Sequence, residues 1–313
     1  MATKTAVLIA GATGTLGFEI AKQLSRQEGV QVNALVRPGS ESNPHKQEKL
    51  EALRQHNVTL VEGDLLDKNS LTNACQNIEV VISAVNGDAN IMVEGQTNLI
   101  KAAEAGGVRR FIPSDYSVDY RKLDWGDNYQ LNFRKAILTT LQGSKKLSYT
   151  LILSGVFMET LFNPFGMVFD FQKGRFKYWG DGETAFNTTS LHDVAAFTAA
   201  AALDEGLANQ ALEIAGDTLT MKELKALYEE NTIEVLHTRN PGSVADLLNW
   251  IAVHRENSAS PNDYLAQQYH YALVSGKGAL DKDLKDRYPN LRAISVKEYI
   301  RNHYKTENLG VRV

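Results

Sequence analysis

Residues Thr3 to Leu24 read TKTAVLIAGATGTLGFEIAKQL, and this stretch constrains the fold more than any other. An apolar, β-rich run from Ala6 to Ala10 meets Gly11, Gly14 and Gly17, and apolar residues then recur at helical spacing at Leu16, Ile20 and Leu24. A buried strand must therefore turn tightly into a helix. Gly11 permits the turn, Gly14 lets backbone N–H groups approach a pyrophosphate, and Gly17 lets the helix pack closely on the strand. The anion would sit at the positive end of the helix dipole. Gly11, Thr13, Gly14, Thr15, Leu16 and Gly17 are the first candidate cofactor-binding residues. A glycine turn with no ligand is the competing reading, but strand, glycines and helix come in the order a dinucleotide site requires.

Strands and helices keep alternating beyond the first helix. Val30 to Arg37 reads as a second strand, Thr59 to Gly63 as a third, Val80 to Val85 as a fourth and Arg110 to Pro113 as a fifth. Helical stretches separate them at Lys46–Arg54, Leu71–Cys75 and Ile91–Ala105, the last stopped by Gly106 and Gly107. A sixth strand is expected at Tyr149–Ser154 and a seventh at Ala211–Ala215, with a long Ala-rich helix over Thr189–Leu203 capped by Thr189 or Ser190. The pattern is α/β: a doubly wound parallel sheet of the Rossmann type, whose ligands bind off the carboxyl ends of the strands. We expect residues 1–155, completed by about 189–216, to form the nucleotide-binding domain. About 156–188 and 217–313 would form a smaller, interleaved substrate-binding lobe over the carboxyl edge of the sheet. Thr220-x-x-Glu223 is a capping box that starts a helix in that lobe.

Topology assigns chemistry to the strand ends. Arg37, twenty residues beyond Gly17, stands where a dinucleotide fold reads the adenosine ribose. An acidic residue would bond a 2′-hydroxyl; a cation favours a 2′-phosphate, so Arg37 points to NADPH, with Lys46 as a second cation and Ser40 as a neutral donor. Asp64 should pass near the adenine, and Ser83, Ala84 and Val85 should run under the ribose and pyrophosphate. Pro113 and Ser114 should face the nicotinamide. The polar and aromatic stretch Tyr116–Asp127 reads as an active-site loop. Gly155–Phe176, rich in Phe, Met and Leu and including Phe157, is either ordinary core or an apolar lining for an aromatic ligand. His192 and Asp193 read as helix-start residues.

Composition narrows the partners. Of 313 residues, 33 are Lys or Arg and 37 are Asp or Glu, a formal charge of −4, so no broad footprint for nucleic acid or anionic membrane is expected and any basic site must be local. The single cysteine, Cys75, excludes an internal disulfide and a multi-cysteine metal site, and reads as a small buried thiol. No run of apolar residues is long enough to cross a bilayer, and a cytoplasmic, metal-free monomer or homodimer is expected.

Short-chain nicotinamide enzymes often use Tyr-x-x-x-Lys on one helix face. The position four before Lys135 is Leu131, so that pair is absent. A lysine on the helix after the fifth strand can still serve as general base or as donor to a developing oxyanion. Here the motifs become specific. The glycine spacing of 11, 14 and 17, Leu35-Val-Arg37, Gly63-Asp-Leu65, Val80-Val-Ile-Ser83, Arg110-Phe-Ile-Pro-Ser-Asp-Tyr116, Lys135, Tyr149-Thr150, and Arg287-Tyr-Pro-Asn-Leu with Val296-Lys-Glu-Tyr299 resemble the NmrA-like family of atypical short-chain dehydrogenases/reductases. Within it they most resemble the isoflavone reductase and phenylcoumaran benzylic ether reductase branch. The strand-five motif departs from that branch's usual Pro-Ser-Glu-Phe-Gly at Asp115, Tyr116 and Ser117. The resemblance implies an NADPH-dependent oxidoreductase acting on a small aromatic substrate, with the family's active-site lysine at Lys135 and its 2′-phosphate cations at Arg37 and Lys46. NmrA-like sensors that bind NADP(H) without turnover and regulate a protein partner are the alternative. A sugar-nucleotide epimerase would need the missing tyrosine.

Overall fold

The computed structural model describes residues 4–163, 165 and 168–304; Thr3, three positions of the apolar stretch (Pro164, Gly166 and Met167) and 305–313 lie outside the described residues. Along the chain, β1 (Thr5–Ala10), α1 (Thr15–Ser25), β2 (Val30–Val36), α2 (Pro44–Gln55), β3 (Thr59–Glu62), α3 (Lys68–Ala74) and β4 (Val80–Ser83) alternate strictly. A wide π-type turn at Asn90–Gly95 leads into α4 (Gln96–Ala105), followed by β5 (Arg110–Ile112), α5 (Tyr129–Gln142) and β6 (Ser148–Leu153). Short elements come next: β7 (Val156–Phe157), α6 (Met158–Leu161), β8 (Phe169–Asp170), β9 (Arg175–Lys177) and β10 (Phe186–Thr189). The chain then forms α7 (Leu191–Leu203), β11 (Gln210–Glu213), β12 (Asp217–Leu219), α8 (Met221–Asn231), β13 (His237–Arg239), α9 (Val244–Asn257), α10 (Asn262–Val274) and α11 (Val296–His303).

The chain divides into two compact units. The first comprises residues 1–115, 133–152 and 194–212 and carries a seven-stranded sheet of order β11-β6-β5-β4-β1-β2-β3. Neighbours from β6 to β3 pair in parallel, and the strand order reverses between β1 and β4. That is the doubly wound Rossmann arrangement, with its crevice at the β1/β4 switch point. Strands covered by helices on both faces read as continuous apolar runs. Accordingly Val7, Leu8 and Ile9 of β1 and Val80, Val81 and Ile82 of β4 are wholly buried. Leu8 and Val81 pack with Leu99, Phe111, Ile137 and Leu141 in one core. Arg110, buried in β5, donates Nη1 to the carbonyls of Ala201 (3.3 Å) and Asp204 at the end of α7. A guanidinium thus satisfies orphan carbonyls at a helix C-terminus. Cys75 is buried, and burial pushes its thiol up to about 12, the chemistry of a core residue.

The second unit comprises residues 116–132, 153–193 and 213–313, and it matches the first in length rather than being smaller. It holds two three-stranded sheets, β12-β10-β7 and β13-β9-β8. Thr189 closes strand β10, where its Oγ1 donates to the Ser154 carbonyl at 2.8 Å, so the helix cap falls to Ser190, whose Oγ accepts from Asp193 N–H at 3.1 Å. His192 and Asp193 are helix-start residues as expected, and Asp193 also accepts from Ile294 N–H. The capping box at Thr220 and Glu223 is complete. Much of the apolar content of 155–176 is core: Phe162, Phe169 and Phe171 stack among Tyr228, Tyr299 and Tyr304, and Met158 and Leu161 are buried, whereas Phe165 is exposed. The 116–127 loop is pinned within its own unit. Ser117 bridges Leu153, Arg121 forks onto Asp119 at 2.7 and 2.8 Å and reaches Glu213 at 2.8 Å, and Lys277 bonds Asp124 at 2.7 Å.

Candidate functional site

The tips of β1 and β4 and the start of α1 approach so closely that there is no room for side chains at Gly11 and Gly17. Gly11 takes φ +84°, and a Cβ there would lie 2.4 Å from the Ala84 carbonyl oxygen and 3.1 Å from Val85 N. A Cβ on Gly17 would lie 2.3 Å from the Gly11 carbonyl oxygen, so α1 presses directly on the turn. Gly14 differs in degree: its φ is −74°, and a Cβ there would lie 3.2 Å from the Gly11 carbonyl oxygen, a tight contact that a shift of a few tenths of an ångström would relieve. Gly14 is also the N-cap of α1, with no side-chain cap and no acidic residue in the first turn. The N–H groups of Thr15, Leu16 and Gly17 therefore open α1 without a side-chain cap, an arrangement suited to an anion.

The rim continues through β4 and β5. Ala84 N–H donates to Ala10 at 2.8 Å, and Ser114 Oγ donates to the Val85 carbonyl at 2.6 Å. Gln96, which no motif in the sequence marks, holds this junction from beneath: its Oε1 accepts from Ser114 N–H at 3.1 Å and its Nε2 donates to Met92 at 2.8 Å. Ser83 is buried completely, and its Oγ has no hydrogen-bond partner among the described residues, so it supports the rim rather than lining it. Ala84 and Val85 are half-buried, and Pro113 is buried.

At the other end of the turn, Arg37 is exposed just beyond β2, and its carbonyl accepts from Ser40 N–H at 3.0 Å. Lys46 lies half-buried in the first turn of α2. One helical turn on, Lys49 Nζ donates to the Thr13 carbonyl at 3.0 Å. Residues three apart share a helix face, so α2 brings a second lysine to the glycine turn that sequence alone did not distinguish from a solvated face. Asp64 is used locally, its Oδ1 accepting from Leu66 N–H at 2.9 Å. Lys135 is half-buried on α5. That helix is anchored to the end of β5 by Arg134, whose Nε donates to the Asp115 carbonyl at 2.7 Å. Phe157 lies in β7 of the second unit, half-buried. That unit also carries a partly open cavity of about 450 Å³ walled by Tyr178, Trp179, Pro241, Trp250 and His270. Among the described residues no cluster of His, Cys, Asp or Glu could hold a metal ion, and no helix is long and apolar enough to cross a membrane.

A parallel sheet with its switch point at β1/β4, a side-chain-free turn and an uncapped helix start define a protein with a Rossmann-type fold. The chain belongs to the NmrA-like family, whose model matches residues 3–299. It is 28% identical to an isoflavone reductase of Pisum sativum over 96% of this chain and 99% of that protein. It is 27% identical to phenylcoumaran benzylic ether reductase TP7 of Nicotiana tabacum, with the same coverage. Among solved structures, an isoflavone reductase superposes with a TM-score of 0.83 at 26% identity, covering 96% of this chain and 99% of that one. A leucoanthocyanidin reductase from Vitis vinifera, solved with NADPH, shares the fold with a TM-score of 0.81 at 22% identity, over 95% of this chain and 98% of that one.

Proposed function

We propose that this protein is an NADPH-dependent reductase of a small aromatic substrate, a phenolic ether, an enone or a quinone-methide-like compound. The observation that carries the reading is the close approach of Gly11 to Ala84 beneath an uncapped α1, with Arg37 ending β2 and Lys46 in the first turn of α2. The side-chain-free turn admits a pyrophosphate, and the two cations suit the additional 2′-phosphate. The residues present fit that cofactor. When bound, NADPH supplies the hydride.

The remaining work falls to the chain's own groups. Thr15, Leu16 and Gly17 N–H bind the pyrophosphate, with Thr13 flanking it, and Asp64 borders the adenine. Ala84, Val85, Pro113 and Ser114 set the ribose and nicotinamide end. Lys135 either takes the proton of a substrate phenol or donates a hydrogen bond to the oxygen on which charge develops. The aromatic-walled cavity of the second unit has the volume of a ligand site for one or two rings, and the curated relatives are named for reductions of such compounds. The test is NADPH oxidation over a panel of aryl ethers, enones and quinones, with NADPH binding followed separately by fluorescence. Turnover of at least one aromatic class supports the reading. Tight NADPH binding with no turnover and capture of a protein partner would replace it with a sensor.

A further inference from the structure

The sheet β13-β9-β8 ends on an open edge. β13 pairs in parallel with β9 on one side only, His237 beside Arg175 and Arg239 beside Lys177. Registered neighbours in a parallel ladder point to the same face, so Arg175, Lys177, His237 and Arg239 share one surface. Asp170, opposite Arg175 on β8, is on that face too, but its carboxylate is taken by Lys177 at 3.0 Å. Arg175, His237 and Arg239 make no ion pair among the described residues and line a pocket of about 310 Å³ with Thr238. On a chain of formal charge −4 this is a concentrated, uncompensated basic site.

Two further observations give the site a shape. First, the ladder bonds run from His237 N–H to Gly174 and from Tyr178 N–H to the Arg239 carbonyl, so alternation turns the N–H and C=O of Thr238 away from β9 toward the free edge. Second, the segment entering β13 alternates inward and outward: Glu234 bonds Tyr228 Oη at 2.6 Å and Leu236 is buried, whereas Ile233 and Val235 are 74% and 76% exposed. These are the two most exposed large aliphatic side chains among the described residues. An apolar pair, Ile233 and Val235, thus precedes His237 and Arg239 on the exposed side of the chain entering and forming β13.

We propose that residues 233–239 are a docking edge for an extended acidic segment of a partner protein, added as a fourth strand beside β13. Strand addition supplies main-chain bonds through Thr238, and side-chain pockets supply specificity. In antiparallel register the incoming strand places acidic residues opposite Arg239 and His237 and aliphatic residues opposite Val235 and Ile233. A second copy of this chain is a poor occupant, because antiparallel pairing centred on Thr238 sets Arg239 against His237 of the other copy and brings no acidic group to the arginines. The same charges keep the edge from self-association while leaving it open to an acidic strand. Nucleic acid is disfavoured because the outward apolar groups are aliphatic and offer no ring for base stacking.

The full-length protein is titrated with a fluorescein-labelled peptide of sequence ETETVTV by fluorescence anisotropy at low salt. Saturable binding is expected, weakened at least ten-fold by the double variant Arg175→Glu/Arg239→Glu and at least five-fold by Ile233→Ser/Val235→Ser. All four positions are exposed, and unchanged melting and NADPH binding verify that the variants fold. Bound peptide should also slow hydrogen exchange at the Thr238 amide. Four results overturn the proposal: no binding at millimolar peptide, equal binding of KTKTVTV, indifference to both double variants, or tighter binding of a thymidine oligonucleotide at the same edge. Concentration-dependent dimerisation abolished by the Arg variants would likewise overturn it in favour of a self-contact.

Discussion

Lys49 Nζ donates to the Thr13 carbonyl at 3.0 Å and so ties helix α2 to the turn that starts α1. The ammonium fixes the backbone of the turn, whereas Arg37 stands at the exposed end of β2. Their losses should differ in kind. Arg37→Ala should weaken NADPH by ten-fold or more and leave NADH nearly untouched, since a charge-assisted bond to the 2′-phosphate contributes about 1.5 to 3 kcal/mol. Lys49→Ala should weaken both cofactors by a similar, smaller factor of roughly three to ten, as expected for the loss of one partly solvated charged bond. Fluorescence titrations of the two cofactors against wild type and both variants decide this. Equal wild-type affinities would remove the 2′-phosphate assignment.

The glycines predict a graded series. Gly17→Ala drives a methyl to 2.3 Å from the Gly11 carbonyl oxygen, backbone against backbone, where nothing flexible can yield. Overpacking of this kind costs about 1 to 3 kcal/mol, and the variant should melt several degrees lower. Gly14→Ala meets the Gly11 carbonyl oxygen at 3.2 Å with an ordinary φ, a contact that a small shift relieves, so it should melt closer to wild type than Gly17→Ala while losing cofactor affinity. Thermal melts with and without NADPH separate the two effects. Similar melting of both variants would contradict the packing argument.

Much of the first unit was legible in the sequence, for physical reasons that also explain what was not. β1 and β4 are buried on both faces, which demands unbroken apolar runs, and the glycine turn is a backbone requirement written directly into residue type. β10 reads Phe-Asn-Thr-Thr and is wholly buried, its polar groups satisfied by distant partners: Asn187 by Thr218 Oγ1 at 2.9 Å and Thr188 by the Val156 carbonyl at 2.8 Å. No local pattern announces a strand stabilised by tertiary hydrogen bonds. Lys49 was not legible because a lysine on a charged helix looks the same whether it meets solvent or a carbonyl. Gln96 was not legible because a buried glutamine is indistinguishable in sequence from an exposed one. Arg37 and the glycines could be proposed as cofactor contacts because a Rossmann topology places strand ends and turns where a dinucleotide binds.

The sheet also predicts its own indivisibility. A fragment ending at residue 155 lacks α7 and β11, so β6 becomes an open edge and the buried guanidinium of Arg110 loses the carbonyls of Ala201 and Asp204. A buried charge stripped of partners is strongly destabilising, and the uncovered strand invites aggregation. The fragment should therefore give no cooperative unfolding transition in urea. A sharp transition would refute the dependence.

His270 sets a pH response in the second unit. Burial holds its imidazole neutral, with its pKa pushed down to about 4 from 6.5, and its Nε2 has no hydrogen-bond partner among the described residues. The unfolded chain then binds a proton that the folded chain refuses. The contribution to stability is fully present above about pH 6.5 and declines as pH falls toward 4, by up to roughly 3 kcal/mol. Urea midpoints measured at pH 7.5 and pH 5 should fall with acidification. His270→Phe should remove most of that slope, and an unchanged slope would show that other groups carry it.

Replacing Lys135 tests the role proposed for it in turnover. Its helix is held to the end of β5 by Arg134, and Ala is the best helix former, so Lys135→Ala should fold and bind NADPH as wild type. If the ammonium or amine acts on the substrate, turnover of a phenolic propenyl or benzylic ether substrate should fall by roughly two to four orders of magnitude, the scale of a general acid/base group. Loss of kcat with unchanged NADPH affinity assigns the residue to the chemistry. Loss of NADPH affinity instead would make it a cofactor-binding group, and an unchanged rate would remove it from the mechanism.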